Sequence, residues 1–334
     1  MPIVYKYAAR NVNEMLRSVF PFFFDMPDLV MEVSRNGPVL RFPGPVALTF
    51  RKPLECVCFS PERDANPFFH FMEALWMLAG RNDVAFLDFY NSQMKQYSDD
   101  GQVFNAAYGY RLRHHFGFDQ LQAIIDELKT NPYSRQLVAQ LWDPADLGKQ
   151  TKDKACNLCM VFAVREGRLD MTVYNRSNDA VLGTISGANT VHMSFFLRYV
   201  AEKAGLTVGE YHQIANNLHV YSDHPKTKLM MKEQPTDRYE RRNETAGHLM
   251  VDYEYWDEQL CDFLRESEDG NIVLQRSGGS VWLYNVAIPL HNAFVFHKLK
   301  QPIEAANWAS SIAAWDWREA CIEWLNRRNA AKGT

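Results

Sequence analysis

The alternation of apolar and polar positions predicts a mixed α/β chain. Alternation and β-branched content predict strands over residues 39–50 and 54–59. Residues 66–80 predict a helix, because an Asn-Pro pair opens them, apolar residues recur every three or four positions, and a glycine ends them. Glu73 stands among these apolar positions. A buried carboxylate is costly unless it is paired, so Glu73 is a candidate functional residue, with an exposed helix edge as the alternative.

The rest of the chain continues this mixture of helices and strands. Further helices are predicted over 11–19, 118–128 and 189–204, and further strands over 136–142, 156–165 and 169–176. A Glu-Gly-Arg sequence joins the last two strands in a hairpin-like turn. No repeat, low-complexity tract or linker separates the halves, so a single domain over residues 1–334 is predicted.

Composition narrows the classes of function. The chain has 334 residues, of which 47% are hydrophobic and 23% charged, as is ordinary for a globular protein. The net charge of −4 argues against broad nucleic-acid binding, which usually requires a basic surface. The first residues lack the pattern of a signal peptide, and no apolar stretch approaches the about 18 residues that span a membrane. We therefore expect a cytoplasmic protein with no membrane or nucleic-acid partner.

Six cysteines raise the question of metal or redox chemistry. Cys56, Cys58, Cys156 and Cys159 could supply four zinc ligands, and the last two could form a redox pair. The zinc hypothesis is weak, because alternation places Cys56 and Cys58 on one face of a strand and no metal-knuckle glycine follows. No metal is expected. The cysteines predicted to be small buried apolar residues are Cys56, Cys58, Cys261 and Cys321.

Cys156 is the candidate nucleophile. It follows a polar loop and begins a predicted strand, and its thiolate would be strongly nucleophilic if a nearby cation, Arg176 on the paired strand, lowered the thiol pKa. Arg176 and Ser177 also offer a guanidinium fork and a hydroxyl, which suit a phosphate monoester, and Arg35 and Arg135 stand in similar turns. Taken alone, a single cysteine is more simply a core residue, and most arginines are solvated.

Motifs that follow one another along the chain resemble the thymidylate synthase family. The motifs are MEALWML at 72–78, AYG at 107–109, SR at 134–135, LWDPADL at 141–147, Cys156, YNRSND at 174–179, LG at 182–183, Asn189, VGEY at 208–211 and NLHVYSDH at 217–224. Residues 225–334 match poorly and are predicted to be a divergent C-terminal part of the same domain. The resemblance implies an α/β (α+β) fold in which helices flank a mixed β-sheet and one face of the sheet forms a homodimer.

The resemblance implies transfer of one carbon from 5,10-methylenetetrahydrofolate to C5 of a pyrimidine nucleoside monophosphate. Cys156 would add to C6 of the base, because C5 of uracil or cytosine reacts only after addition at C6 has made it an enolate- or enamine-like carbon. Glu73 would organise waters and shuttle protons, and Tyr108 would assist proton removal from C5.

The same resemblance implies how the two substrates are held. The implied nucleotide ligands are Arg35, Arg176 and Ser177 at the 5′-phosphate, His219 and Tyr221 at the 3′-hydroxyl of the sugar, and Asn157 beside the base. Arg135 would reach the phosphate bound by the partner subunit of a homodimer. Asp179 would contact both pyrimidine and folate. The implied folate contacts are Asp179, Leu182, Gly183 and Tyr97.

Several departures from the family pattern bear on the second half of the reaction. Asn157 replaces the histidine after the nucleophile, and Gln136 replaces a second arginine. Asn178 gives the spelling Arg-Ser-Asn-Asp, which looks more like the phage-type nucleotide hydroxymethylases of this superfamily. Two tryptophans that wall the folate site have no match, although Tyr97 could replace one. Residues 329–334 are polar, where the family has an apolar tail that seals the site.

These departures favour water over hydride as the group that completes the reaction. Hydride transfer from tetrahydrofolate needs a closed, dry site and gives a methyl group, whereas water gives a hydroxymethyl group. Hydroxymethylation is therefore the leading hypothesis, and methylation, the thymidylate synthase reaction, is the alternative.

Asn189 is the candidate reader of the base. Its amide can accept from N3–H and donate to O4 of uracil, or be flipped for cytosine, with Asn157 and His192 as neighbours that could fix the flip. Family members that act on deoxycytidylate typically carry aspartate at this position. Deoxyuridylate is therefore the leading substrate and deoxycytidylate the alternative. Asn189 could instead cap the helix that begins there.

Two hypotheses come from other classes of protein. A catalytically dead module that binds nucleotides or RNA would not need the intact catalytic set. A thiol oxidoreductase would form a disulfide between Cys156 and Cys159, in a redox-motif context that the sequence lacks. The expected protein is therefore a homodimeric, folate-dependent transferase of pyrimidine deoxynucleotide metabolism, in the cytosol of a bacterium or of a phage-infected host.

Overall fold

The computed structural model describes residues 4–26, 28–230, 236–242, 250–252, 254–274 and 278–330. In this part of the chain the α-helices are α1 (Val12–Val19), α2 (Phe22–Asp25), α3 (Pro67–Leu78), α4 (Val84–Tyr90), α5 (Tyr108–Tyr110), α6 (Gln120–Thr130), α7 (Ala188–Lys203), α8 (Pro225–Met230), α9 (Trp256–Glu266), α10 (Ile288–Lys298), α11 (Pro302–Ser310) and α12 (Trp315–Ala330). Short 3₁₀ or π turns lie at Met94–Tyr97, Arg111–His115, Pro144–Leu147, Ala180–Thr184, Arg238–Arg241, Glu268–Gly270 and Leu283–Ala287.

Ten strands form two mixed sheets. They are β1 (Tyr5–Ala9), β2 (Val30–Ser34), β3 (Gly37–Arg41), β4 (Val46–Phe50), β5 (Val138–Gln140), β6 (Asn157–Arg165), β7 (Arg168–Asn175), β8 (Asn178–Asp179), β9 (Thr207–Ala215) and β10 (Leu218–Tyr221). The described strands are ordered β1-β4-β9-β7-β6-β5 in the larger sheet and β2-β3-β10-β8 in the smaller one. Parallel and antiparallel pairs occur in both sheets. The predicted α/β class with mixed sheets and helices is confirmed.

The open end of the β6–β7 hairpin carries the candidate nucleophile. At the closed end, Glu166 and Gly167 have φ angles of 51° and 74°, as a tight two-residue hairpin turn requires. At the open end, Asn157 lies opposite Asn175. The backbone N–H of Arg176 donates to the carbonyl oxygen of Cys156 (3.0 Å). The predicted pairing of the two strands thus brings Cys156 beside Arg176.

α3 is a central helix of the core. Oδ1 of Asn66 accepts from the N–H of Phe69 (3.1 Å) and caps the helix, and Gly80, at φ 72°, follows its end. Every residue of α3 is buried, because α7, α10 and α12 all pack against it. A helix covered in this way is expected to be apolar all round. Glu73 is therefore an exception that needs a partner.

The predicted strand over residues 54–59 is wrong. This segment is irregular, and side chains satisfy its backbone. The N–H of Val57 donates to the hydroxyl of Tyr239 (3.3 Å), and that of Phe59 donates to Oδ1 of Asn13 (2.9 Å). Because these side chains replace a strand ladder, the alternation of the sequence does not correspond to a sheet here.

Residues 39–50 also differ from their prediction. They belong to two strands, β3 and β4, in different sheets, because Pro43 and Pro45 interrupt the run and cannot donate to a ladder. The other predicted helices and strands exist with ends shifted by a few residues. Among the cysteines predicted to be buried, Cys261 is exposed on α9. This prediction failed because apolar flanking residues do not reveal which face of a helix a cysteine occupies.

The six-stranded sheet has a partly exposed outer face. Val138, Val161 and Thr172 are successive cross-strand neighbours, and Tyr174 follows two residues later on the same side. Val138 is 50% exposed and Tyr174 is 39% exposed. Exposed apolar and aromatic side chains on a sheet are typical of an interaction surface. No helix in the described part of the chain is long and apolar enough to cross a membrane.

Candidate active site

Cys156 immediately precedes β6, and Tyr108 holds its backbone. The hydroxyl of Tyr108 accepts from the backbone N–H groups of Cys156 (3.3 Å) and Asn157 (3.5 Å). Tyr108 begins α5, which lies directly against α3: a Cβ added at Gly109 would be 1.8 Å from the carbonyl oxygen of Met77. A close backbone contact therefore positions Tyr108 beside Cys156, as its predicted role requires.

Burial determines the direction in which the pKa of the Cys156 thiol shifts. Burial raises this pKa above its usual value, Arg176 and Arg35 oppose the increase, and Asp153 adds to it. The sequence predicted a pKa lowered by Arg176. That prediction is wrong in its net direction, because the effect of burial is larger than that of the nearby cations. The pKa of Tyr108 is also raised, first by burial and then by Cys156.

Arg176 and Arg35 converge on the loop that leads to Cys156. Nε and Nη2 of Arg176 donate to two carbonyl oxygens of residues 152–155, at 2.8 and 3.1 Å, and Nη2 of Arg35 donates to a third at 3.1 Å. Both arginines are exposed. We name Arg35, Arg176 and Ser177 the phosphate end of the site. It presents two fixed cations near the thiol, an arrangement that suits a phosphate monoester.

Arg135 does not reach the site of its own chain. It is exposed and precedes β5, in which Val138 pairs with Val161 of β6. In this antiparallel pair the carbonyl oxygen of Leu137 accepts from the N–H of Phe162 (2.9 Å), and Phe162 is six residues, or roughly 20 Å of extended strand, from Cys156. No contact in the described part of the chain brings Arg135 to Cys156.

Asn189 and Asn178 form a pair of side-chain amides. Nδ2 of Asn189 donates to Oδ1 of Asn178 (3.4 Å). Gly183 leaves room for this contact, since a Cβ there would be 2.3 Å from the Asn178 oxygen. Gly187 is the cap residue of α7, so the alternative that Asn189 caps this helix is wrong. Nδ2 of Asn178 is buried without a hydrogen-bond partner among the described residues.

Glu73 is buried against a histidine. Glu73 is only 5% exposed, so the alternative that it lies on an exposed edge of the helix is wrong. Its Oε2 lies 2.9 Å from Nε2 of His192, which is 2% exposed. The direction of the ring N–H does not meet hydrogen-bond geometry, and neither ring nitrogen has a hydrogen-bond partner in the part of the chain described. We name Glu73, Asn178, Asn189 and His192 the pyrimidine end of the site.

Asp179 links the phosphate end to the predicted folate contacts. Its Oδ1 accepts from the N–H groups of Val181 (2.7 Å) and Leu182 (3.1 Å), which caps the turn that carries Leu182 and Gly183. The pairing of β8 with β10 places His219 opposite Asp179. Burial raises the pKa of Asp179 and lowers that of His219. Both shifts disfavour the charged form of each side chain.

The predicted sugar ligands lie beside the phosphate end. The rings of His219 and Tyr221 are 5.4 Å apart and nearly perpendicular. Nδ1 of His219 is 3.0 Å from Oδ1 of Asn217. The hydroxyl of Tyr221 accepts from Nδ2 of Asn36 (3.5 Å), the residue that follows Arg35 in the β2–β3 turn. The hydrogen bond between Asn36 and Tyr221 therefore holds the β2–β3 turn, which carries Arg35, against β10, which carries the predicted sugar ligands.

Tyr97 and Asn157 have contrasting surroundings. Tyr97 is 43% exposed, and the carbonyl oxygen of the next residue accepts from Nζ of Lys152 (3.3 Å). An aromatic side chain is thus available at the rim, near the loop that leads to the nucleophile. Asn157 is fully buried, and its Oδ1 accepts from Nδ2 of Asn175. The amide oxygen of Asn157 is therefore engaged inside the protein.

Sequence reasoning missed part of the site. It named His192 only as a neighbour of Asn189 and Asn178 only as a departure from the family, yet both contact predicted site residues. A spacing of three on a predicted helix could have indicated that His192 shares a face with Asn189. Asp153, whose Oδ2 accepts from the N–H of Ala106 (2.7 Å), was not singled out. Its position in the loop before the nucleophile was the available signal.

The described residues contain no group of three or more His, Cys, Asp or Glu side chains that could hold a metal ion. All six cysteines are free, including Cys156 and Cys159. The arrangement at Cys156 is that of a nucleophile beside cations and a tyrosine. It can add to an electron-poor carbon of a bound anion without a metal.

The fold and the site define a family of nucleotide-modifying enzymes. The family model for thymidylate synthase matches residues 66–268, and the chain belongs to the thymidylate synthase family. The predicted resemblance is confirmed, and the match extends past residue 224, where the recognisable motifs end.

Individual relatives narrow the comparison. The chain is 40% identical over 339 aligned positions to deoxyuridylate hydroxymethyltransferase of Pseudomonas phage M6, an alignment that covers 96% of this chain and 94% of that protein. It is 42% identical over 221 positions to deoxyuridylate hydroxymethyltransferase of Bacillus phage SP01, covering 60% of this chain and 57% of that protein.

Proposed function

We propose that the chain transfers one carbon from 5,10-methylenetetrahydrofolate to C5 of deoxyuridylate and forms 5-hydroxymethyldeoxyuridylate. The observation that carries this proposal is the 40% identity to a deoxyuridylate hydroxymethyltransferase over nearly the whole of both chains. The geometry at Cys156, with Tyr108 on its backbone N–H and two arginines on its loop, supports the same chemistry.

The first half of the reaction follows from the surroundings of Cys156. The thiolate adds to C6, and C5 becomes the carbon that takes the methylene group. Burial raises the pKa of the Cys156 thiol, and Arg176 and Arg35 lower it. The two arginines therefore have to stay near the thiol while they bind the substrate phosphate. We assign Tyr108 as the acceptor of the C5 proton. The hydrogen bond that its oxygen accepts from the Cys156 N–H favours the deprotonated form, although burial raises the pKa of Tyr108 overall.

The amide pair at the pyrimidine end favours uracil. Asn178 accepts one N–H of Asn189. In this orientation Oδ1 of Asn189 can accept from N3–H of uracil and its second N–H can donate to O4. Cytosine lacks the N3–H donor and would require the opposite flip of Asn189. Asn178 would then have to flip as well, because otherwise two amide oxygens would face each other.

The polarity of the same region favours water as the group that completes the reaction. Nδ2 of Asn178 and both ring nitrogens of His192 are buried and lack hydrogen-bond partners among the described residues. Buried polar groups of this kind usually bind ordered water. Water at this position can capture the methylene carbon, whereas hydride transfer requires that water be excluded.

The folate is expected to bind beside the turn that Asp179 caps. Leu182 and Tyr97 are 37% and 43% exposed and offer apolar and aromatic contacts. Gly183, whose missing Cβ leaves room for Asn178, belongs to the same turn. We also propose that residues 1–334 form one catalytic domain. From the phage origin of the relatives, we propose that it acts in the cytosol of an infected bacterium.

We propose a homodimer that shares residues between its sites. The partly exposed face around Val138 and Tyr174 is the candidate interface, and no described contact brings Arg135 to Cys156 within one chain. Mixing C156A and R135A subunits is expected to restore activity at low deoxyuridylate, because the mixed dimer contains one site with both residues. Mixing C156A with R176A is the matched control and is expected to restore none, since Arg176 acts within its own chain. Equal behaviour of the two mixtures would contradict shared sites.

The product assay tests the proposed reaction. The enzyme is given equimolar deoxyuridylate and deoxycytidylate with methylenetetrahydrofolate, and the products are identified by mass spectrometry. A hydroxymethyl group on uracil is expected. A methyl group on uracil would favour thymidylate synthase activity, and a hydroxymethyl group on cytosine would reverse the assignment of the base. No product from either nucleotide would favour a nucleotide-binding module.

A further inference from the structure

His192 is a buried ionisable residue that the proposed reaction uses only as a contact for water. It is 2% exposed on α7, and its Nε2 lies 2.9 Å from Oε2 of Glu73. Buried polar groups are nearly always hydrogen-bonded, yet neither ring nitrogen of His192 has such a partner among the described residues. A water or a substrate group at the pyrimidine end can supply the missing contact.

Another buried histidine shows what a structural role looks like in this protein. His291 is fully buried. Its Nδ1 is 2.5 Å from the hydroxyl of Tyr90, and its Nε2 is 2.7 Å from the carbonyl oxygen of Asn271. Both ring nitrogens are therefore satisfied by the protein. His192 differs because neither of its ring nitrogens has a hydrogen-bond partner among the described residues, and the carboxylate 2.9 Å from its Nε2 is that of Glu73, a predicted residue of the active site.

The Glu73–His192 pair spans the site. On α3, Glu73 is one turn before Met77, which touches the residue that follows Tyr108. On α7, His192 is one turn after Asn189. Residues one turn apart share a face of a helix. The pair therefore extends from the side of the site that removes the C5 proton to the side that reads the base.

We propose that His192 is a positioning residue that acts through Glu73 on the water that completes the reaction. This inference rests on the proposed hydroxymethylation. In that step the oxygen of water bonds to the methylene carbon on C5, and the electron pair of the exocyclic double bond moves into the ring as an enolate. The proton of water passes to the carboxylate of Glu73. The enolate then expels the Cys156 thiolate from C6 and restores the 5,6 double bond.

The role of His192 is to orient the accepting oxygen. Nε2 of His192, 2.9 Å from Oε2, limits the positions open to the Glu73 carboxylate by close contact rather than by a hydrogen bond, within the buried surroundings of α3. A carboxylate fixed in this way points one oxygen at the attacking water without having to reorganise during the step. Loss of the imidazole should therefore slow water capture and leave the earlier carbon transfer largely intact.

Two assays on His192→Asn and His192→Ala separate these steps. Tritium release from [5-³H]deoxyuridylate reports the reaction up to loss of the C5 proton, and the hydroxymethyl product reports water capture. Product formation is expected to fall roughly 10- to 100-fold, because a misplacement of about 1 Å of a reacting group costs up to roughly 100-fold, while tritium release changes little. With 2-mercaptoethanol present, the thiol should add to the methylene carbon on C5 in place of water, so the variants should form a thioether product.

His291→Gln is the matched control. His291 is a buried histidine on α10 whose hydrogen-bond partners in the described part of the chain, Tyr90 and Asn271, are not residues of the site, and its substitution is expected to leave the ratio of the two signals unchanged. His192→Gln, whose amide reaches about as far as Nε2 and further than that of His192→Asn, is expected to recover part of the product. Thermal melting and deoxyuridylate binding identify any variant that fails to fold.

Equal losses of tritium release and product in folded His192 variants, without a thioether, would overturn the proposal. Full product formation by folded His192 variants would also overturn it. These outcomes are distinct from failure of the proposed function. If the unmodified enzyme makes no hydroxymethyl product, hydroxymethylation itself fails, whatever the variants do.

Discussion

The two ends of the site handle polarity in opposite ways. At the phosphate end, Arg35 and Arg176 are exposed, and backbone carbonyls near Cys156 hold their guanidinium groups. At the pyrimidine end, Asn178 and His192 are 3% and 2% exposed, and both carry buried atoms without partners among the described residues. The phosphate end is exposed and its cations are held in place; the pyrimidine end is buried and has polar atoms to which a base or a water can bind.

This difference divides the work of the enzyme. Exposed guanidinium groups remain solvated until a phosphate arrives, so they can supply affinity at little cost to folding. A buried polar atom without a partner costs about 1–3 kcal/mol, and a correctly shaped base or water removes that cost. We therefore expect substitutions at the phosphate end to weaken binding. Substitutions at the pyrimidine end should alter which base reacts and what product forms.

Removal of the nucleophile should have the largest effect, because neither end can act without it. C156A is expected to lose roughly four orders of magnitude or more in kcat for product formation and to bind deoxyuridylate with an affinity close to that of the unmodified enzyme. Cys159→Ala is the matched control, three residues further along β6, and should change kcat less than about threefold. Comparable losses in both variants would show that Cys156 acts through packing. Product formation and equilibrium binding are the measurements.

N189D tests the pyrimidine end. An ionised aspartate cannot donate to O4 of uracil and would face it with a negative charge. An unsatisfied buried contact of about 2–3 kcal/mol corresponds to a loss of roughly 30- to 150-fold in kcat/KM for deoxyuridylate. Activity on deoxycytidylate should fall less or rise. Competition between the two nucleotides measures the preference, and an unchanged ratio would mean that Asn189 does not read the base.

R176A tests the phosphate end and should have the smallest effect on kcat. Loss of a charge-assisted contact to phosphate is expected to raise KM for deoxyuridylate roughly 10- to 100-fold. The same substitution should also shift the pKa of the Cys156 thiol. Burial raises the pKa of Cys156 and Arg176 opposes it, so R176A raises this pKa further. At a fixed neutral pH the thiolate fraction falls, and the pH profile of alkylation by iodoacetamide moves to higher pH.

R35A provides the comparison for that pH profile. Arg35 opposes the increase in the Cys156 pKa less than Arg176 does, so its removal should move the alkylation profile in the same direction by a smaller amount. A profile that moves to lower pH in either variant would contradict the assignment of these arginines to the thiol.

Much of this site could be predicted from sequence because its residues lie in local motifs. Arg176 and Ser177 are consecutive, and the pairing of β6 with β7 brings Arg176 to Cys156. Glu73 could be singled out because a carboxylate interrupts an apolar helix. Such features depend on periodicity and spacing, which a sequence carries directly.

The parts that could not be predicted depend on contacts between distant segments. The irregular path of residues 54–59 is set by Tyr239 and Asn13, which lie far away along the chain. The raised pKa of Cys156 depends on how deeply the folded protein buries the thiol. The contact of His192 with Glu73 depends on how α7 crosses α3. Charges near a residue are visible in a sequence, whereas the desolvation that opposes them is not.

The contact between Gly109 and Met77 limits how this enzyme can vary. A Cβ at position 109 would lie 1.8 Å from a backbone oxygen of α3, so no other amino acid fits there without moving the start of α5. Tyr108 would move with it and leave the N–H of Cys156 unbound. In a library of random variants, substitutions at Gly109 should therefore behave as losses of catalysis rather than losses of expression. Substitutions at a glycine, which has no side chain to take part in the reaction, would then reduce activity as substitutions of the catalytic residues do.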